Sequence, residues 1–326
     1  MNFHLQFPVQ LFKEKINYRD KMLFIGSCFT ERIGNKMKEH KFSLNLNPHG
    51  ILYNPASIAS ALRRYISGGN LNESELFYAN ETWNSWEHHS CFSGPDKLKC
   101  LENMNTSISE AREQLQNTKW LFITFGSAFT YSLKEEKRLV GNCHKVPQTK
   151  FDKRLLKAQE IVKEFETLFS ELKQFNPDLN IVLTVSPVKY VRDGVVENVL
   201  SKSVLIAAVH ELVKRNNNAF YFPAYELVTE DLRDYRFYEA DLVHPNEQAI
   251  SYVFEKFMNA SFSNETKEIF EKIKEIRTAA SHRSFNEGSD SNKRFASVYL
   301  KRCEELSFEF PFLDLSEESV HFRALT

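Results

Sequence analysis

Five short runs along the chain are mostly apolar or β-branched: MLFIG at 22–26, FSLNL at 42–46, WLFITF at 120–125, IVLTVS at 181–186 and AFYF at 219–222. Runs of this length with little polar alternation are the pattern of strands covered on both faces. Between them the period becomes helical. Leu155, Leu156, Ile161, Val162, Phe165, Leu168, Phe169, Leu172 and Phe175 share one face of a segment that begins at Asp152 and stops at Asn176-Pro177. Further helices are expected at about 198–214 and 246–258.

Alternation of strand and helix builds a mainly parallel sheet with helices on both sides. The expected fold is therefore α/β, a flavodoxin-like three-layer architecture with five strands in the order 2-1-3-4-5. A segment from about 67 to 118 reads as an insertion between the second and third strands. Beyond 263 the pattern is helical and charged, with a loop at 284–292 before a last helix. This divides the chain into an α/β domain over 1–263 and a helical appendage over 264–326 packed on the core. No repeat or low-complexity tract interrupts it.

Composition changes this picture little. The 326 residues are 42% hydrophobic and 26% charged, an ordinary balance for a soluble globular protein, and 28 Phe point to an aromatic core. A net charge of −1, with both signs interspersed, argues against nucleic-acid or anionic-membrane partners. The first residues, MNFHLQFPVQLFKEKINYRDK, lack the plan of a signal peptide, and no window is apolar for long enough to span a bilayer. Cys28, Cys91, Cys100, Cys143 and Cys303 form an odd set without a C-x-x-C pair, which suits reduced thiols and a cytoplasmic location. No Walker loop, dinucleotide fingerprint, His-Glu-x-x-His or zinc spacing occurs, so no cofactor or metal is expected.

In an open α/β sheet, ligands bind outside the carboxyl ends of the strands, where strand order reverses. Small and polar turn residues collect there: Gly26-Ser27-Cys28-Phe29, Asn47-Pro48-His49-Gly50, Gly126-Ser127 and Ser186-Pro187. Strand–helix turns need such residues anyway, but four at one edge also make a candidate site. Ser27 is the expected nucleophile. It follows a glycine that permits a tight turn and precedes a helix whose amides face a developing oxyanion. Its expected base is His244 in Asp241-Leu242-Val243-His244-Pro245, held out of the helical region by Pro245 at the first position of the next helix. Asp241, expected to be buried, would fix the tautomer of His244 and leave the other ring nitrogen facing Ser27. The competing reading makes His244 structural and Asp241 a local cap.

These blocks carry a resemblance. IGSCFTERIG resembles the motif of GSCFA-domain proteins, a bacterial branch of the SGNH/GDSL hydrolase superfamily. HGILYNPASI, FGSAFTY, GNCHKVP, LTVSPVKYVRDG, SKSVL, YFPAYELV and DLRDYRFYEADLVHPN match further, over roughly residues 22 to 260. The resemblance implies an SGNH hydrolase fold, a Ser–His–Asp arrangement of Ser27, His244 and Asp241, and ester hydrolysis or acyl transfer, often on carbohydrate-linked acyl groups. It also implies an oxyanion hole from the amides of Ser27 and Gly50. The wider superfamily adds an asparagine from a Gly-x-Asn-Asp turn after the third strand. Here that turn reads Gly126-Ser127-Ala128-Phe129, and Asn142 in Gly141-Asn142-Cys143-His144-Lys145 is the nearest substitute.

Other residues admit two readings each. Cys143 beside His144 suggests a thiol nucleophile, although adjacent loop residues usually point apart. His144 and Lys145 are candidates for binding an anionic substrate group, or are simply exposed. Trp83, Trp86, His88 and His89 would line a sugar-binding wall or pack the insertion. The resulting expectation is a serine esterase or acyltransferase acting on a small-molecule or carbohydrate ester. The alternative is a non-catalytic carbohydrate- or acyl-binding module on the same fold.

Overall fold

The computed structural model describes residues 5–282 and 289–326. The apolar runs form the central sheet. β1 (Met22–Gly26), β2 (Leu44–Leu46), β5 (Trp120–Phe125), β9 (Asn180–Val185) and β10 (Ala219–Tyr221) pair in parallel in the order β10-β9-β5-β1-β2. That is the expected 2-1-3-4-5 order. Phe42 and Ser43, at the start of FSLNL, stay outside the ladder, so β2 is a three-residue edge strand.

Alternate residues feed two apolar layers. Leu23, Ile25, Leu121, Ile123, Phe125, Ile181, Leu183 and Val185 enter one cluster. It is covered by α2 (Pro55–Ser67), α3 (Lys97–Asn117), α4 (Ala158–Phe175) and α5 (Val195–Arg215). Met22, Phe24, Trp120, Phe122 and Val182 enter the other. That layer includes α1 (Cys28–Glu39) and, after the short turn α6 (Ala224–Glu226), α7 (Glu247–Ser261). Burial on both faces explains why the central strands read as mostly apolar or β-branched runs.

α8 (Asn264–Ser281), α9 (Asp290–Glu309) and α10 (Ser316–Arg323) place Ile269, Phe270, Ile273, Cys303, Leu306 and Phe322 in the second cluster. Of the loop expected at 284–292, residues 284–288 lie outside the described residues, and 289–292 form the cap and first turn of α9. Among the described residues no helix is long and apolar enough to cross a membrane.

Three elements differ from expectation. The insertion contains a hairpin, β3 (Leu76–Ala79) with β4 (Thr82–Ser85), and its later part is the long helix α3, which packs on the sheet. The helix expected from Asp152 starts at Ala158, because 151–155 are extended. They form β8 (Phe151–Leu155), which pairs with β6 (Phe129–Leu133), and β6 also pairs with β7 (Leu139–Val140). Leu155 and Leu156 mimic helical periodicity, but the β6 ladder claims the backbone before α4 begins. Finally, Asn246 rather than His244 caps α7, its side chain accepting from the Ala249 amide at 3.0 Å, so Pro245 precedes the cap.

Candidate active site

The turn after β1 is built on Gly26, at φ +147°, where a Cβ would lie 2.3 Å from the Thr124 carbonyl oxygen on the neighbouring strand. Only glycine allows this approach. Asn47, after β2, accepts from the Gly26 amide at 2.9 Å and so ties the first two turns together. Ser27 then occupies the N-cap position of α1 in extended conformation, yet its side chain makes no capping bond. It is 1% exposed, and its Oγ has no hydrogen-bond partner among the described residues. The hydroxyl is therefore inside the protein. Cys28, the first residue of α1, is half-buried.

The loop of Asp241 and His244 follows its sequence pattern more closely. Leu242 adopts φ +59°, and the Asp241 carboxylate gathers three donors: the amides of Val243 (2.9 Å) and His244 (3.0 Å) on Oδ1, and His244 Nδ1 on Oδ2 at 2.6 Å. These bonds hold Asp241 down at about 2, the His244 amide and ring first among them. An ionised carboxylate can only accept, so Nδ1 carries the proton and Nε2 is the basic nitrogen. Contrary to expectation the pair is not buried, the side chains of His244 and Asp241 being 46% and 48% exposed. Two backbone amides and the imidazole N–H hold the carboxylate, so it needs no buried environment.

Outside the carboxyl edge of the sheet lies a cavity of about 780 Å³. Its lining includes Cys28 after β1, Tyr53 and Asn54 before α2, Ser127 after β5, Asn142 to Lys145 after β7, Lys189 to Arg192 after β9, and His244. It thus unites Asn142, His144, Lys145 and His244 from the expected set. Ser27, Asp241, Gly50, Trp83 and Trp86 are not in the lining. The cavity walls carry Lys145, Lys189 and Arg192, with no carboxylate among the described residues.

The expected oxyanion donors have diverse fates. The Ser27 amide donates to Thr124 O at 3.3 Å, and the Gly50 amide closes a turn on Asn47 O at 2.7 Å. Gly50 sits against His89 and Cys91. Asn142 accepts from the His144 amide at 2.8 Å through Oδ1, with no protein partner at Nδ2 among the described residues. This bond supports two consecutive left-handed residues, His144 and Lys145. Lys145 is exposed. His144 is buried, donates from Nε2 to Ser85 O at 2.8 Å, and has no partner at Nδ1 among the described residues. Burial pulls its basicity below the ordinary imidazole value, and burial likewise raises the Cys143 thiol to about 11.

The aromatic and histidine cluster packs the insertion. Trp86 stacks on Phe77 at 3.6 Å, and its carbonyl accepts from the Gly141 amide at 2.7 Å. Trp83 faces Tyr78 and carries the Lys97 ammonium on its ring. His88 is fully buried against His49, with 4.0 Å between ring centres, and His89 accepts from the Cys91 amide through Nδ1. The β3–β4 hairpin thereby holds the 141–147 loop against the cavity, helped by a bond from Asn80 to His144 O at 2.8 Å.

Lys202 escaped the sequence reading. It is fully buried on α5 and donates to Gly126 O and Ser186 O, each at 2.7 Å. Beside it, Ser201 accepts from the Ala128 amide at 2.8 Å and meets Ser127 Oγ at 3.3 Å. One signal was available: Lys202 lies in the stripe of Asn198, Ser201, Leu205, Ala208, Val209 and Leu212, all buried. A lysine on the core face of a helix implies a specific pair of acceptors.

Residues 21–257 match the GSCFA family, and residues 273–325 match the GSCFA domain protein, C-terminal domain. Among curated proteins none matches. Solved structures similar to the chain include a carbohydrate esterase family 3 from Talaromyces cellulolyticus, with 9% identity, 78% of this chain and 99% of that one covered, and a TM-score of 0.35. Another is the acetyl xylan esterase Est2A from the rumen bacterium Butyrivibrio proteoclasticus, with 10% identity, 75% and 64% covered, and a TM-score of 0.30. Neither similarity assigns a role to a residue here. The match over 21–257 takes in every turn that borders the cavity, and this chain belongs to the GSCFA family.

Proposed function

We propose that this protein cleaves or transfers an acyl ester in the cavity at the carboxyl edge of its sheet. The observation that carries this reading is His244, held by an ionised Asp241 with Nε2 left basic, on the wall of that cavity. His244 takes the proton of a nucleophile from the turn between β1 and α1, where the family motif points to Ser27, and later returns it to the leaving alcohol. Asn142 Nδ2 supplies a donor for the developing oxyanion. Lys145 and Arg192, with no opposing carboxylate in the lining, favour an ester whose acyl or alcohol part is anionic.

A non-catalytic binding module is favoured by one observation: the Ser27 and Gly50 amides already have acceptors. Release of acetate from acetylated neutral and uronic-acid sugars, and from 4-nitrophenyl acetate, separates the readings. Cleavage that His244→Ala abolishes supports the enzyme. Saturable binding of an acetylated sugar without release by the folded protein supports the module.

A further inference from the structure

The turn between β1 and α1 offers two adjacent nucleophiles, and their surroundings differ. Ser27 is 1% exposed and outside the cavity lining. Its amide bonds to Thr124 O and its carbonyl accepts from Thr30 N at 2.9 Å. A Cβ on Gly126 would stand 3.3 Å from the Ser27 Cβ, so the serine is lodged against the turn after β5. Cys28 is half-buried and lines the same cavity as His244.

Two links tie the first turns of α1 to the base loop. Arg32, four residues after Cys28, pairs with Glu239 at 2.9 Å, and the Glu239 amide donates to His244 O at 2.7 Å. A second feature of the cavity is independent of the thiol. His144, 7% exposed, borders it with no partner at Nδ1 among the described residues, although a buried polar nitrogen is normally satisfied.

We propose that Sγ of Cys28 is the attacking atom of this site, and that Ser27 builds the turn behind it. This inference rests on the acyl-ester reading. In the first step Sγ bonds to the ester carbonyl carbon, the thiol proton passes to His244 Nε2, and the carbonyl π pair moves to oxygen. Collapse re-forms the carbonyl, breaks the bond to the alcohol oxygen, and returns the proton from His244 to that alcohol. Water or an acceptor alcohol, deprotonated by His244, then attacks the thioester and releases the thiol.

The environment of Cys28 suits such a base-assisted thiol. Burial is the largest influence and raises it, while the amides of Phe29 and Cys28 and the Lys202 charge pull the other way. The resting group is thus a neutral thiol, and attack requires a base.

The test is acid-quench mass spectrometry of the wild-type protein with 4-nitrophenyl acetate, followed by peptide mapping. A thioester and an oxyester differ chemically: neutral hydroxylamine strips the first and spares the second. An acetyl group on Cys28, removed by hydroxylamine, is the expected result. Cys28→Ala should then lower kcat/KM by about a thousandfold or more while the melting temperature holds, the scale of deleting a covalent nucleophile. A hydroxylamine-resistant acetyl group on Ser27 overturns the proposal and leaves the ester reading standing. So does undiminished turnover by Cys28→Ala when no adduct accumulates. Absence of both adduct and cleavage with every acetyl ester overturns the two together.

Discussion

Lys202 reaches from the core face of α5 to the carbonyl of Gly126, 2.7 Å away at the end of β5, and its remaining reach goes to Ser186 O at the end of β9. One buried amine thus pins two turns that border the cavity. Burial draws it down to about 7 from 10.5. Between those values the unfolded chain holds a proton that the folded chain has released, so stability should rise with pH from about 7 toward 10.5. Below 7 both states are protonated and the cost of the buried charge is full.

Lys202→Met removes that titration. It also strands two buried carbonyls, at about 1–3 kcal/mol each. Melting curves of both proteins from pH 6 to 9.5 should show the wild type gaining on the variant as pH rises. Parallel curves would mean that Lys202 keeps its proton throughout.

The Asp241–His244 pair gives a graded prediction. His244→Ala should cost about 10²–10⁴-fold in kcat/KM, the span of a general base. Asp241→Asn retains an oxygen for the Val243 and His244 amides but loses the anion beside Nδ1, so its cost should be smaller. Because Asp241 stays ionised down to about 2, that cost should persist across pH 4–8. A larger loss for Asp241→Asn than for His244→Ala would show that the carboxylate has a role other than orienting the ring.

Asn142 separates oxyanion stabilisation from loop support. Its Oδ1 holds the His144 amide, and its Nδ2 is the candidate donor. Asn142→Asp keeps the acceptor and removes the donor. Single-turnover acylation should fall about a hundredfold to a thousandfold, with KM little changed. A lowered melting temperature with normal acylation would make Asn142 a loop residue only.

Gly26 tests the turn itself. Gly26→Ala forces an alanine to φ +147° and drives its Cβ into Thr124 O. The strain alone costs about 1–3 kcal/mol, and the collision adds to it. Denaturant titration should show a loss of stability well beyond that of an ordinary surface substitution. A variant as stable as the wild type would mean that the strands separate easily at this edge.

The parallel sheet was legible because strands buried on both faces are mostly apolar or β-branched, and β1, β5 and β9 are. Asp241-x-x-His244 was legible because its geometry is local: three residues and a proline suffice to bring Nδ1 onto the carboxylate. The β6–β7–β8 sheet was not, since Phe151–Leu155 has polar residues at 152–154 and only pairing with β6 makes it a strand. Nor could chain order show which of Ser27 and Cys28 meets the cavity. Adjacent residues at a helix start point in different directions, and the neighbours that decide, Thr124, Gly126 and Lys202, come from strands and helices about a hundred residues or more away. Local chemistry is written in short motifs, whereas exposure is a property of what packs around them, and that only the tertiary structure decides.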